Sequence, residues 1–311
     1  MTFSSWRFTI ALAFLIFPAA LPTAATAQPP SFLTLWLSPA PLGVAVDGSG
    51  NVYATDAQNH HVLKYTSTGA LLAQWGSLGS GNGQFNQPIA VAVDGGGDVY
   101  VADAENSRIQ VFTGSGVYLR QWGTSGSGSG QFLFPSGVAI DLGGNVFVTD
   151  VSAGRIQKFT SAGTYLTEWA IGIPRGVAVD ALGNVFLTSD DDLVRKFTND
   201  GGFVTHWGTS GTGNGEFGHP YGLAVDLGGN VHVVDRNNHR IQVFTSTGGY
   251  LWQFGKTDLG SDLFVLPFGV AVDGGGNVFV SDVGRDDIVK FGYAPTPSMT
   301  TSWGRLKRLY R

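Results

Sequence analysis

The stretch PSGVAIDLGGNVFVTD, residues Pro135 to Asp150, decides the fold because the chain repeats it. Five further copies, two of them divergent, begin at Pro41, Pro88, Pro174, Pro220 and Pro267. The aspartates at the turn of successive copies are 47, 47, 39, 46 and 47 residues apart. A period of this size, built from short strands, indicates a propeller, because one unit cannot bury its apolar face alone.

Each copy divides into four short strands. Gly137 to Ile140 is small and apolar, an Asp-x-x-Gly turn follows, and Val146 to Val148 continues with β-branched and aromatic residues. Third and fourth strands are exemplified by Arg108 to Phe112 and Tyr118 to Trp122. Period-two runs of this composition, separated by Gly and Asp turns, indicate antiparallel meanders. We therefore predict an all-β, six-bladed β-propeller of four-stranded antiparallel blades.

The two ends of the repeat region complement each other. The sixth copy has no fourth strand, because Pro295 and Pro297 follow its third strand and interrupt a sheet. Phe32 to Trp36 matches the fourth-strand stretch Tyr118 to Trp122 position by position. We therefore predict that the N-terminal strand completes blade six and closes the ring, which leaves no free edge between the first and last blades.

The repeated motif resembles the NHL repeat, and the resemblance covers nearly all of the chain after its leader. The motif here consists of Pro-x-Gly-Val-Ala-Val-Asp, Gly-Asn-Val-Tyr-Val-x-Asp, Asn-x-Arg-Ile-Gln-x-Phe and Leu-x-x-Trp-Gly. The stretch Gly126 to Phe132 is also similar to the loop between repeats in that family. The resemblance implies a six-bladed propeller, in agreement with the six copies.

Three segments are expected along the chain: a signal peptide (1–27), the propeller (28–293) and a Pro-containing linker with a basic tail (294–311). Arg7 precedes the apolar run Phe8 to Phe17, and a small-x-small site ends at Ala27, the features of a cleaved secretory signal. The run is shorter than the ~20 residues that a membrane span needs. We therefore expect an exported protein, periplasmic or extracellular, cleaved near Ala27 and without a transmembrane segment.

The C-terminal tail is basic. Trp303, Leu306 and Tyr310 have helical spacing among four basic residues. One interpretation is an amphipathic segment that contacts the cell envelope or an export machine; the alternative is a frayed end. The expected oligomeric state is a monomer.

Net charge argues against nucleic-acid binding. Five of the 18 basic residues lie in the leader and the tail, so the propeller carries 13 basic against 23 acidic residues, a net charge of about −10. An RNA-binding member of the NHL family would be expected to show a basic face, as phosphate binding requires. No nucleic-acid partner is therefore expected.

Two repeated sets of aspartates are interpreted as structural. The first set occupies the Asp-x-x-Gly turns, where a short carboxylate accepts backbone N–H groups; it consists of Asp47, Asp94, Asp141, Asp180, Asp226 and Asp273. The second set ends the second strands. In three copies an arginine follows five residues later, at Arg108, Arg155 and Arg240. We expect exposed ion pairs there, each contributing only ~0–1 kcal/mol.

Binding residues are expected where the copies differ, in the loops between second and third strands. These loops break the template, while the turns at the other end are nearly identical. The candidate binding residues are His60, His61, Asp190, Asp191, Asp192, Arg236, Asn237, Asn238, His239, Arg285 and Asp286. Their mixed polarity favours a protein, peptide or glycan ligand, and so a secreted, non-enzymatic binding or interaction platform.

The alternative function is a metal-dependent lyase or hydrolase with its site near the central channel. Related propellers include amidating lyases and streptogramin lyases, in which histidines hold a metal. Neither motif maps onto this chain, and none of its six histidines lies on a first strand. No catalytic residue and no cofactor is identified. A divalent metal such as calcium at Asp190 to Asp192 is the open alternative to a solvated acidic turn.

Overall fold

A computed structural model describes residues 29–255 and 262–293. These residues form six separate four-stranded antiparallel sheets, which are the predicted blades. The six-bladed all-β propeller is therefore confirmed. The described ranges contain no helix that is long and apolar enough to cross a membrane. The expected signal peptide (1–27) and basic tail (294–311) lie outside the described residues.

Consecutive strands run from the channel outwards in every blade. The strands of the first three blades, after the N-terminal β1 (Ser31–Leu37), are β2 (Pro41–Val46), β3 (Val52–Asp56), β4 (His61–Tyr65) and β5 (Leu71–Trp75); β6 (Pro88–Val93), β7 (Val99–Asp103), β8 (Arg108–Phe112) and β9 (Tyr118–Trp122); and β10 (Pro135–Ile140), β11 (Val146–Asp150), β12 (Arg155–Phe159) and β13 (Tyr165–Ala170). The others are β14 (Pro174–Val179), β15 (Val185–Ser189), β16 (Leu193–Phe197) and β17 (Phe203–Trp207); β18 (Pro220–Val225), β19 (Val231–Asp235), β20 (Arg240–Phe244) and β21 (Tyr250–Phe254); and β22 (Pro267–Val272), β23 (Val278–Asp282) and β24 (Asp287–Gly292). Two 3₁₀ turns span Ala104–Asn106 and Arg236–Asn238.

The hydrophobic core is divided among the interfaces between neighbouring blades. One cluster joins Tyr100 and Ile109 of blade two to Val146 and Phe159 of blade three. Every residue of the second strands is buried, because a blade is covered on both faces by its neighbours. The alternation of apolar residues therefore specifies which interface each side chain enters.

Strand β1 closes the ring, as predicted. It pairs antiparallel with β24, with Trp36 opposite Ile288. The Trp36 ring centroid lies 6.0 Å from that of Tyr65 in blade one and 6.3 Å from that of Phe279 in blade six. Gly69 has a φ of +90°, and a Cβ there would lie 2.6 Å from the Trp36 ring. The first and last blades are therefore held together by an aromatic seal as well as by β pairing.

The turn aspartates are structural, as predicted. Asp47 Oδ1 accepts the backbone N–H groups of Ser49 and Asn51, both at 2.9 Å, and Asp47 Oδ2 accepts the Asn51 amide at 2.9 Å. Burial acts to raise the pKa of Asp47, but the hydrogen bonds from Asn51 and Ser49 outweigh it, so the pKa is lowered. Asp141 and Asp273 have the same arrangement. These carboxylates act as caps for orphan backbone donors.

The Asp–Arg pairs also form, but the expectation that they are exposed was wrong. Asp103 is 0% and Arg108 6% exposed, and their ion pair measures 2.7 Å. Arg108 also donates to the carbonyls of Ser80, Gly81 and Gln84. The guanidinium therefore fastens the Gly-rich connector before the blade to the blade itself, which is why it is buried.

Side-chain hydroxyls connect adjacent first strands around the channel. Thr55 Oγ1 accepts the Gly43 N–H at 2.9 Å and donates to the Ile89 carbonyl of the next blade at 3.0 Å. Thr188 bridges Gly176 and Tyr221 in the same way. These bridges fix the relative positions of neighbouring first strands, and hence the residues that surround the channel mouth.

Candidate binding site at the channel mouth

The six first strands surround a central channel of about 100 Å³, lined mainly by Gly and Val. We call the end where second strands finish and connectors enter the loop face; the Asp-x-x-Gly turns lie on the turn face. At the loop face the residue that follows the Pro of each first strand surrounds the channel. These six positions hold Leu42, Ile89, Ser136, Arg175, Tyr221 and Phe268.

A second set of variable residues contacts this ring. It consists of the residues that directly follow the second strands of four blades, namely Ala104, Asp190, Arg236 and Val283. We call the two sets together the mouth residues. Their neighbours in the repeat are nearly the same in every blade, so they give the channel mouth its individual character.

Blades one, two and six supply the apolar part of the mouth. Ile89, Ala104 and Phe268 are buried and form one cluster, against which Leu42 and Val283 pack. An apolar surface collected around an axis in this way provides a place for a hydrophobic group.

Blade four contributes a closed ion pair. Arg175 Nε and Nη2 donate to the two oxygens of Asp190, both at 2.6 Å. These hydrogen bonds raise the pKa of Arg175. His219 Nδ1 lies 3.7 Å from the same carboxylate. Arg175 is therefore already compensated by a bidentate partner.

Arg236 of blade five is held by aromatic rings instead. Its guanidinium carbon lies 5.5 Å from the ring centroid of Tyr221 and 5.8 Å from that of Phe268. The two rings are in close contact, with centroids 4.0 Å apart and ring planes tilted by 41°. Arg236 Nε is buried without a hydrogen-bond partner in the described part of the chain. Each such contact is a cation–π interaction, which orients the guanidinium.

Only some of the residues predicted from the sequence come together here. Asp190 and Arg236 lie at the mouth, each in contact with a neighbouring first strand. Asn238 and Asp286 have local roles: the Asn238 amide donates to Asp235 and the Gly211 carbonyl, and Asp286 accepts the Ala40 N–H. Arg285 donates to the Asp262 carbonyl at 3.4 Å.

The predicted histidines are spread over two blades. His60 and His239 adopt left-handed φ angles of 60° and 55° at equivalent turns. His60 Nδ1 accepts the Gln87 N–H at 3.2 Å, and His61 Nδ1 lies 2.9 Å from the Gln74 amide. His239 Nδ1 is buried without a partner among the described residues, beside the exposed Asn237.

The acidic loop of blade four has separate partners for its three carboxylates. Asp190 pairs with Arg175, and Asp191 pairs with Arg195, whose hydrogen bonds lower the pKa of Asp191 to about 2. Asp192 accepts the His219 N–H at 2.8 Å. Within residues 29–255 and 262–293, no three His, Cys, Asp or Glu side chains are grouped as metal ligands.

Sequence reasoning missed Arg175, Tyr221 and Phe268. Their signal is the variable position in Pro-x-Gly-Val-Ala-Val, where a constant motif contains six residues of different character. Our sequence prediction considered only the loops as variable, whereas this position lies within the first strand. Its importance comes from the radial arrangement, which brings six such residues around one axis.

A larger cavity of about 970 Å³ lies between blades five and six, lined in part by Phe32, Asn238, His239 and Phe254. Gly255 and Asp262 border it, and these residues flank residues 256–261, which lie outside the described residues. The candidate site is therefore built on the mouth residues, all of which are described.

Comparison with known families agrees with the repeats. The NHL repeat model matches residues 40–65, 85–112, 132–159 and 217–244. The chain therefore contains NHL repeats. The matches fall in blades one, two, three and five. No curated protein matches the chain.

Solved structures with this architecture include enzymes and a chain from a binding complex. Virginiamycin B lyase from Staphylococcus aureus is 15% identical, with a TM-score of 0.61 over 85% of this chain and 100% of that one. A gluconolactonase from Xanthomonas campestris is 13% identical, with a TM-score of 0.63 over 86% and 96%. A chain of a nidogen–laminin complex is 17% identical, with a TM-score of 0.57 over 74% and 84%. At these identities the likeness shows the fold alone.

Proposed function

We propose that this NHL propeller is a binding platform that takes a peptide or protein ligand at the channel mouth. The observation that supports it best is Arg236, whose guanidinium lies against the rings of Tyr221 and Phe268 and has no ion pair or hydrogen bond in the described residues. Arginine and aromatic residues are enriched among the side chains that dominate binding energy at protein interfaces.

The site, rather than the fold, carries this proposal, because propellers of one shape serve unrelated functions. A metal-dependent lyase or hydrolase needs several ligands that converge on one ion. The mouth residues instead offer an apolar surface, one closed ion pair and one uncompensated guanidinium. Such groups bind a ligand without supplying metal ligands, and they therefore favour a binding platform over a metal-dependent enzyme. Metal analysis of the purified protein tests the alternative, including calcium at Asp190 to Asp192.

We further propose that the platform works outside the cytoplasm. The support is the sequence of residues 1–27, in which an apolar run is followed by a small-x-small site. N-terminal sequencing of the protein recovered from cells tests this directly. A mature chain that begins at Gln28 supports export, and retention of Met1 in the cytoplasmic fraction contradicts it.

The platform proposal is tested with a panel of acetylated tripeptides of varied sequence, each prepared with a free C-terminal carboxylate and as the amide. Binding is measured by saturation-transfer NMR on the wild type and on Tyr221→Ala. The matched control is Phe203→Ala, because Phe203 is an exposed aromatic residue on the outer strand of blade four.

We expect some panel members to bind the wild type and Phe203→Ala, and to lose binding to Tyr221→Ala while its melting curve stays cooperative. Binding that survives Tyr221→Ala unchanged contradicts the assignment of the mouth. Arg120→Gln adds a charge control on the turn face, since Arg120 contacts Asp98 and the Ser161 carbonyl there.

A further inference from the structure

We propose that the channel mouth recognises the C-terminal carboxylate of a peptide that ends in an apolar residue. Arg236 binds the carboxylate, and the apolar mouth residues Leu42, Ile89 and Phe268 receive the terminal side chain. This inference rests on the proposed binding function and specifies the ligand class that the same site selects.

The two arginines of the mouth differ in whether their charge has a partner. Arg175 is saturated by the bidentate Asp190 carboxylate. Among the arginines of residues 29–255 and 262–293, Arg236 is the one with neither an ion pair nor a hydrogen bond. The mouth therefore presents one uncompensated guanidinium, which corresponds to one carboxylate. Arginine binds carboxylates through two parallel N–H···O bonds, stronger than neutral hydrogen bonds.

Two aromatic rings hold the side chain of Arg236 in place. Tyr221 and Phe268 support its guanidinium at 5.5 and 5.8 Å from their ring centroids. Contact with a flat aromatic surface restricts the rotamers of the long side chain before any ligand arrives. Less conformational entropy is then lost on binding, as in other preorganised sites. Of the three guanidinium nitrogens of Arg236, only Nε is among the buried donors without a partner, so Nη1 and Nη2 stay accessible to the two oxygens of a carboxylate.

The shape of the site distinguishes a chain end from an internal segment. The channel at the mouth has a volume of about 100 Å³, the space of roughly three water molecules. That volume is suited to one side chain rather than to a length of peptide. Its rim on the side of blades one, two and six is apolar, with Ile89, Ala104 and Phe268 buried in one cluster. A terminal residue presents both required groups, an apolar side chain and an adjacent carboxylate.

The test compares three probes by isothermal titration calorimetry: N-acetyl-Ala-Leu with a free carboxylate, its C-terminal amide, and N-acetyl-Asp-amide, which carries only a side-chain carboxylate. The proteins are the full-length wild type, Arg236→Gln and Arg120→Gln. Arg120 is the control because it is a partly exposed arginine on the turn face, where it contacts Asp98 and the Ser161 carbonyl.

We expect the free-carboxylate dipeptide to bind the wild type at least 10-fold more tightly than the amide or the aspartate probe. Arg236→Gln should abolish that preference, lowering affinity for the free carboxylate about 10- to 100-fold and leaving the amide unchanged. Arg120→Gln should leave the affinity for all three probes unchanged. The affinity for the free-carboxylate dipeptide should fall with rising salt concentration in the wild type. A weaker salt dependence in Arg236→Gln supports an ion pair between Arg236 and the carboxylate.

Four outcomes overturn the inference. They are equal binding of the carboxylate and the amide, equal loss of both in Arg236→Gln, no binding of the dipeptide at all, and binding of the aspartate probe as tight as that of the dipeptide. The proposed platform function is decided separately, because the tripeptide panel includes C-terminal amides, whose loss of binding in Tyr221→Ala reports on the mouth without a terminal carboxylate.

Discussion

Blades five and six follow the same template and both bury an aspartate at the end of the second strand. The residue across from that aspartate is basic in blade five and acidic in blade six. In blade five Asp235 faces Arg240, with Nε 2.7 Å from the carboxylate. In blade six the equivalent Asp282 faces a second carboxylate, Asp287, in direct register. Asp282 is satisfied by the N–H groups of Val265 and Leu266, but Asp287 Oδ1 has no hydrogen-bond partner in the described residues.

The residue across from the buried aspartate differs because the neighbouring segment of chain differs between the two blades. Arg240 donates to the carbonyls of Gly213 and Glu216, so it fastens the Gly-rich connector that enters blade five. Blades two and three have the same connector and the same arginine. At blade six, Asp287 instead lies opposite Leu37 of the N-terminal strand that closes the ring. The repeat therefore keeps the buried aspartate in both places and changes its partner according to the local connection.

The largest effect is expected from removing the fourth strand of blade six. In blade five all four strands follow one another in the chain, whereas blade six takes its fourth strand from the N-terminal end. Deleting residues 28–38 removes β1 and Trp36, and exposes the edge of β24. We expect a loss of at least the ~3–5 kcal/mol typical of truncating a buried Trp. Chemical denaturation measures it.

A point variant makes the same comparison without altering the chain length. Trp36→Ala and Trp207→Ala truncate equivalent rings, each seated over a positive-φ glycine, Gly69 and Gly248. Equal losses of ~3–5 kcal/mol are expected if β1 is a full member of its blade. A loss at Trp36 below 1 kcal/mol, with the full loss at Trp207, shows that closure by β1 contributes little.

Sequence alone predicted this architecture, including the ring closure, because each blade repeats the same local signals. The match of Phe32 to Trp36 with a fourth strand is readable without coordinates. The burial of the Asp–Arg pairs was not, because it depends on connector carbonyls that surround Arg108 and Arg240 from 24 to 28 residues away. The sequence repeat indicates which Asp and Arg residues pair, but not which parts of the chain shield the pair from solvent.

The candidate site was predicted in part, for a related reason. Asp190 and Arg236 stand out as charges in otherwise apolar positions after a second strand. Tyr221 and Phe268 resemble ordinary strand residues, and only the packing of blade five against blade six brings their ring centroids to 4.0 Å. Local patterns indicate variability, whereas convergence on the axis is a property of the assembled ring.

The next largest effect is expected at Arg240. Arg240→Ala leaves Asp235, which is 0% exposed, without its cation and releases the connector carbonyls. Breaking a buried pair on one side costs ~3–5 kcal/mol, because an uncompensated charge stays buried. Urea denaturation of the variant measures this loss. The control is Arg120→Ala, whose half-exposed pair with Asp98 should contribute ~0–1 kcal/mol. Similar small losses in both variants contradict the role of Arg240 as an anchor.

Blade six should respond in the opposite direction. Burial, together with the neighbouring Asp282, raises the pKa of Asp287 from 3.8 to about 6. The folded protein therefore holds that proton more tightly than the unfolded chain. The resulting destabilisation is absent below pH ~4, grows between pH ~4 and ~6, and is complete above pH ~6. Asp287→Asn should raise the free energy of unfolding at pH 7.5 by about 1–3 kcal/mol.

The same substitution should give no gain at pH 4, where Asp287 is already protonated in the folded protein. Asp200→Asn is the control, since the Asp200 side chain is 90% exposed, and its stability should follow the wild type at both pH values. A pH-independent gain in Asp287→Asn points to packing rather than to charge. A loss at pH 7.5 shows that the carboxylate has a partner that stabilises its ionised form.

The smallest effect is expected on the turn face, where blades five and six both keep the aspartate that caps the turn. Asp273 Oδ1 accepts the N–H groups of Gly275 and Asn277 at 2.8 Å, and Asp226 Oδ1 accepts the Asn230 N–H at 2.8 Å. Asp273→Ala should cost about 0.5–2 kcal/mol, the range for losing a side-chain cap on backbone donors. Thermal unfolding measures the cost, and ligand titration should show unchanged affinity. A loss of affinity at full stability would place the binding surface on the turn face, and the contrast between the two ends of the blades would then be reversed.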